Sequence, residues 1–182
     1  MKLSRIAIAI VGLVAMVMGI RQMMRGMSEM GLTKQELRVG ARFTDTKHGC
    51  SYDTIEGWTK KDGPGGAAQF TSASGANFSV VSEPFDGSTQ QYADMLVEAL
   101  KKQFPKVAVI SLAPFTTDQG ILCTKASLSN EATNKDQLFQ AFYVFEGKQN
   151  QKILLTSTDA FVLRGRSEPV FDGLAKRVAL LP

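Results

Sequence analysis

One histidine, two cysteines and one tryptophan occur in 182 residues, and that scarcity removes whole classes of chemistry. A structural zinc site needs four ligands, usually Cys and His. His48, Cys50 and Cys123 make three and would need a well-placed carboxylate to finish the set. No metal site is therefore expected. Cofactor motifs are missing too: the glycine-rich stretch at residues 60–66 has no closing Gly-Lys-Ser/Thr and no helix after it, so it is not a phosphate loop.

An excess of one charge is also absent from most of the chain. Lysine and arginine number 21 against 17 acids, and the surplus is Lys2, Arg5, Arg21 and Arg25, with no acid before Glu29. The remainder is electroneutral. That balance argues against a phosphate-tracking surface, and nucleic acid is not an expected partner. With 44% hydrophobic residues and 21% charged, the chain reads as one folded domain with a short appendage.

The appendage is what the first 25 residues supply. From Ile6 to Ile20 no residue is charged, and Lys2 and Arg5 precede the run. This is the layout of an export signal. As a helix the run measures about 22 Å against a hydrocarbon core of about 30 Å, so it spans a bilayer only if Leu3, Met23 and Met24 join it and Arg21 snorkels. Arg21 and Arg25 are unusual at a mature N-terminus, which favours an uncleaved signal-anchor over a cleaved signal. The flanking basic residues do not set its orientation. Seven of the eight methionines fall in the first 30 residues; with no His or Cys among them they read as apolar filler at a membrane surface rather than a copper site. Residues 26–47 mix both charges with few large apolar side chains and read as a tether, leaving a domain at 48–182.

Within that domain, strands are expected at residues 52–58, 68–72, 76–80, 107–112, 120–129, 137–145 and 152–160. Ser88-Thr89-Gln90-Gln91 is a capping box that starts a helix. Tyr92, Met95, Leu96, Ala99, Leu100 and Phe104 form its apolar stripe, and Pro105 stops it. A second helix is expected to open with Ser167 as its cap and Pro169 in the first turn, burying Val170, Phe171, Leu174, Val178 and Leu181. Strands in runs without βαβ alternation imply an α+β domain, with a mainly antiparallel sheet of about seven strands covered by two helices.

Several spaced sequences then resemble the PsbP-like and DcrB-like superfamily of small α/β/α sandwich domains. Glu56-Gly57-Trp58 resembles the Gly-Trp of the first hairpin, and Asn77-Phe78-Ser79-Val80-Val81 the next inner strand. Ser88 with Tyr92 matches the helix opening. Gln140-Ala141-Phe142-Tyr143-Val144 with Lys152-Ile153-Leu154-Leu155-Thr156 resembles the late hairpin, and Phe171-Asp172 the closing helix. The superfamily holds photosystem extrinsic subunits, bacterial envelope proteins, effector chaperones and a nuclear import factor. The resemblance implies binding or scaffolding with a protein partner, not catalysis, and it carries over no site residues. Lipid attachment is excluded because no Cys lies near the end of the hydrophobic run.

Three candidate features remain. Cys50 and Cys123 either form a disulfide or stay separate thiols. His48, two residues before Cys50, faces the same side of an extended strand and sets up a thiol-dependent enzyme as the least favoured reading. Arg164, Arg166, Lys176 and Arg177 make the only downstream basic cluster, a contact patch for an acidic partner. The leading expectation is a non-enzymatic, membrane-tethered, extracytoplasmic binding or scaffold module, inner-membrane anchored or periplasmic. A chaperone-like domain sheltering a client's apolar segment is the alternative.

Overall fold

Eight consecutive side chains, residues 138–145, are buried in a single strand, and the computed structural model is organised around them. It describes residues 38–104, 106–131 and 137–182. The hydrophobic run and most of the expected tether lie outside these residues. Among the described residues no helix is long and apolar enough to cross a membrane.

Among the described residues ten strands form two antiparallel sheets. β3 (Thr59–Asp62), β4 (Ala68–Thr71), β5 (Asn77–Pro84), β6 (Ala108–Thr116), β7 (Leu122–Glu131), β8 (Gln137–Glu146) and β9 (Gln151–Ala160) make a seven-stranded sheet in the order β3-β4-β5-β9-β8-β7-β6. β1 (Val39–Asp45), β2 (Cys50–Ile55) and β10 (Ala179–Leu180) form a three-stranded sheet in the order β1-β2-β10. The α+β class and a large antiparallel sheet of seven strands with two helices are as the sequence indicates. The membership differs. The expected strand at 52–58 is β2, in the small sheet, and its end turns at Gly57, where φ is +76°. The seventh strand is β3, whose Thr-Lys-Lys-Asp is exposed throughout and carries no alternation to read.

α1 (Thr89–Gln103) carries the chain from β5 to β6, the far edge of the sheet. Fifteen helical residues are about 22 Å long, enough to cross the intervening β9, β8 and β7. The capping box is present with both of its hydrogen bonds: Gln91 N–H donates to Ser88 Oγ at 3.1 Å and Ser88 N–H to Gln91 Oε1 at 2.8 Å. Tyr92, Ala93, Leu96, Val97 and Leu100 are its buried side, against Ala126, Leu128, Phe142, Val144 and Leu154. Met95 and Ala99, expected in the stripe, sit at its half-buried margin.

On the opposite face, Phe139, Ala141, Tyr143 and Phe145 of β8 meet the small sheet and α2 (Arg164–Lys176). Aromatic rings seal this layer. Phe70 and Phe78 stack at 4.6 Å, Tyr52 meets both edge-on, and Trp58 reaches Phe78 at 5.9 Å and Phe171 at 6.5 Å. The β8–β9 hairpin turns through Gln149 and Asn150, both at positive φ, the signature of a type I′ turn.

Three boundaries depart from expectation for physical reasons. The folded body includes β1, read from sequence as tether, because Phe43 packs on Tyr52 and Phe70. α2 begins at Arg164, a turn before the expected cap; Ser167 is inside the helix and its hydroxyl donates to Leu163 O at 3.1 Å. The helix stops at Lys176, so Val178 and Leu181 lie past its end, and Ala179–Leu180 pair with β2 instead.

Two substitutions rank the forces. Phe142→Ala, which empties the α1 side of β8, is expected to cost about 3–5 kcal/mol and Ser88→Ala about 1 kcal/mol. Urea unfolding compared at equal m-value measures both, and a larger loss at Ser88 would contradict this account of the core.

Candidate functional site

The candidate thiol site is taken apart by burial. Cys50 and Cys123 are each 1% exposed and both are free thiols, on strands of different sheets. The disulfide read as one option is thus not formed. Burial pushes the Cys50 thiol up to about 12, with the Asp45 carboxylate adding to the rise. Burial alone takes Cys123 to about 12. A thiol held protonated at neutral pH is a poor nucleophile.

His48 turns away from this chemistry as well. Ser82 N–H donates to its Nδ1 at 3.1 Å, so Nε2 carries the proton and donates to Gly66 O, also at 3.1 Å. Its backbone N–H donates to Asp45 Oδ1 at 3.1 Å, while Tyr52 O–H donates to Asp45 Oδ2 at 3.0 Å. The imidazole is a clamp joining the β1–β2 turn, the loop before β4 and β5. Beside it lies a cleft of about 200 Å3 lined by Asp45, Lys47, Lys60, Asp62 and Gly66 among others. Its cations are engaged: Lys47 donates to Gly66 O at 2.6 Å and Lys60 lies 4.1 Å over the Phe43 ring. Among the described residues no three metal-ligating side chains come together.

The basic cluster divides. Arg164 and Lys176 stand at opposite ends of α2, about 18 Å apart for a helix of 13 residues. Arg164 is spent on Glu168, with Nε 2.8 Å from Oε2. Glu168 also accepts from Lys125 at 2.9 Å and Ser127 at 3.0 Å, and Lys125 reaches Asp172 at 2.6 Å. Burial alone would raise the Glu168 carboxyl, but the bonds from Lys125, Arg164 and Ser127 outweigh it and hold the carboxyl below its ordinary value. Tyr143 O–H donates to Asp172 at 2.6 Å, and burial together with that carboxylate pushes the phenol up. This network fastens α2 to β7 and β8.

Arg177 joins a different group, which sequence reading missed. Its Nε lies 2.7 Å from Asp53 Oδ2, an ion pair whose N–H is not aimed well enough to count as a hydrogen bond. Arg42 donates to Asp53 Oδ1 at 3.2 Å, to Arg177 O at 2.9 Å and to Ser51 Oγ at 2.9 Å. The two arginine side chains remain 41% and 40% exposed, and Lys176 is exposed beside them. Two cations thus hold one carboxylate on the rim of the small sheet, with Lys176 next to Arg177 in the chain. Arg42 and Arg177 are 135 residues apart, so only the pairing of β1 and β10 with β2 brings them together. Large apolar side chains exposed among the described residues are Val39, Val109, Leu122 and Val162, on separate elements.

No protein-family model matches the chain, and no curated protein does. Solved structures do. Cyanobacterial PsbP (CyanoP) from Synechocystis sp. PCC 6803 superposes with a TM-score of 0.60 at 13% identity, over 85% of this chain and 99% of that one. The Ran-binding protein Mog1p of Saccharomyces cerevisiae gives 0.59 at 9% identity, over 80% and 96%. A Bacteroides thetaiotaomicron protein gives 0.52 at 12%, over 79% of this chain and 49% of that one.

Two experiments check the site. Each thiol holds its proton more tightly folded than unfolded, so stability is full below pH 9, the ordinary thiol value, and falls as pH rises toward 12. Replacing both by alanine flattens that alkaline slope in urea titrations; an unchanged slope would refute the assignment. His48→Ala leaves Ser82 N–H without its acceptor and Gly66 O with Lys47 as its remaining donor, and is expected to cost about 2 kcal/mol, read as a lower melting temperature.

Proposed function

We propose, for a chain with the PsbP-like α+β fold, a non-enzymatic protein-binding or scaffold domain. The observation that carries this reading is the division of its polar groups. The thiols are buried in the core, and the imidazole and the half-buried Glu168 network are spent on holding the fold, while Arg42 and Arg177 stand part exposed on the rim with the Asp53 carboxylate between them and Lys176 exposed next in the chain. Such a rim suits an acidic patch on a protein partner, where charge guides encounter and sets orientation. A Ran-binding protein among the structures of like fold supports a protein ligand.

The domain is held at a membrane, outside the cytoplasm, by residues 1–25. Support for this comes from the uncharged run of Ile6 to Ile20 behind Lys2 and Arg5. A client chaperone would need a continuous apolar groove, and the exposed apolar side chains described above sit on separate elements.

Crosslinking in intact cells, with the captured protein identified, tests the proposal. Arg42→Glu with Arg177→Glu is expected to reduce recovery of that partner at least tenfold, and Cys50→Ser to leave it unchanged. Equal recovery from the double variant, or turnover of a thiol-reactive ester that depends on Cys50, would overturn it.

A further inference from the structure

The small sheet meets the edge of the large one where the end of β1 and the β1–β2 turn reach β3 and the loop before β4. The cleft beside His48 lies in that seam, and four charged side chains line it: Asp45, Lys47, Lys60 and Asp62. Their charges sum to zero, yet they do not pair. Among the described residues none of the four forms an ion pair. Asp45 is buried, with both oxygens taken by Tyr52 O–H and His48 N–H. Lys47 is pinned on Gly66 O, which also accepts from His48 Nε2. Only glycine permits this: φ at position 66 is +79°, and a Cβ there would collide with Lys47 Nζ. Lys60 is spent on a ring face, and the exposed Asp62 carboxylate forms no hydrogen bond. An ammonium has three donors. Lys47 uses one of them and Lys60 none on an oxygen, so both retain donors that no described residue takes up.

This arrangement discriminates among ligands. A simple anion would gain the two lysines but meet the field of Asp45 and Asp62, and a simple cation would gain Asp62 but meet both lysines. A molecule with one charge of each sign offers every group its opposite and leaves the cleft neutral. Size narrows the choice further. The cleft measures about 200 Å3, below the roughly 300–1,000 Å3 of pockets that hold drug-sized ligands. Lys60 and Asp62 are two residues apart on β3, so they project from the same side of the strand with Cα atoms about 7 Å apart. A compact ligand whose opposite charges sit close together meets both conditions. We propose that the cleft is a binding site for a free α-amino acid, whose carboxylate meets Lys47 and Lys60 and whose ammonium meets Asp62. Such a ligand bridges the β1–β2 turn and β3, and so fastens the small sheet to the edge of the large one.

Titration of the full chain with glycine, followed in proton–nitrogen correlation spectra, tests this, because glycine carries the two charges and little else. Saturable shifts are expected at the amides of residues 44–48 and 60–66. N-acetylglycine lacks the ammonium and glycinamide the carboxylate. Each is expected to bind at least about tenfold more weakly, the effect of losing a charge-assisted hydrogen bond. Asp62→Asn and Lys60→Gln, both at exposed positions, are each expected to weaken glycine by a similar factor while the β8 amides keep their shifts. The absence of saturable shifts, or shifts confined to other residues, overturns the proposal. Equal binding of either derivative overturns it too, as does full affinity in either variant. If a variant moves the β8 amides, the comparison of glycine with its two derivatives on the unsubstituted chain decides.

Discussion

The two-sided burial of β8 is the constraint on which the rest of the molecule depends. Its odd-numbered residues from Phe139 to Phe145 face the small sheet and α2, and Phe142 and Val144 face α1. A slip of one residue would exchange the two sets and empty both cores at once. The type I′ turn at Gln149 and Asn150 fixes the pairing of β8 with β9, and the alternation then carries into β5 through Phe78 and Val80 on one side and Val81 on the other. Helix positions follow from this register.

Polar groups secure what the apolar faces only roughly place. On the α1 side, Tyr92 O–H donates to Glu83, and the buried Lys152 ammonium donates to Glu146 at 2.7 Å and Phe85 O at 3.1 Å. On the α2 side, Lys125, Glu168, Asp172 and Tyr143 do the same for the second helix. Burying such ions is costly, and removing one partner costs more than the pair contributes, because the other charge is left in a poor solvent. These networks therefore fix geometry more than they add stability.

Sequence patterns disclosed what is local. Ser88 and Gln91 are three residues apart, so their capping box is visible without any fold, and β8 and β9 announce themselves by β-forming side chains around a polar turn. β1, β3 and β10 escaped because they are short or charged and owe their pairing to neighbours distant in sequence. α2 starts early for a similar reason: no side chain caps it, and the bonds from Arg164 to Glu168 and from Ser167 to Leu163 O hold its first turn. The candidate site was the least legible part. Residues 164–166 and 176–177 look like one cluster in a line of text, yet a helix separates them, and the true companion of Arg177 is Arg42.

The two faces of the molecule make different demands on whatever meets them. The rim at Arg42, Lys176 and Arg177 presents charge, whose field acts over several ångströms and tolerates imperfect fit. The floor of the large sheet at Asn77, Gln140 and Asn130 has no charge to offer and rewards only groups placed at hydrogen-bond distance. The rim, part exposed, can be reached by a separate molecule, whereas the amide atoms of the floor are closed to solvent and answer only to the packing around them.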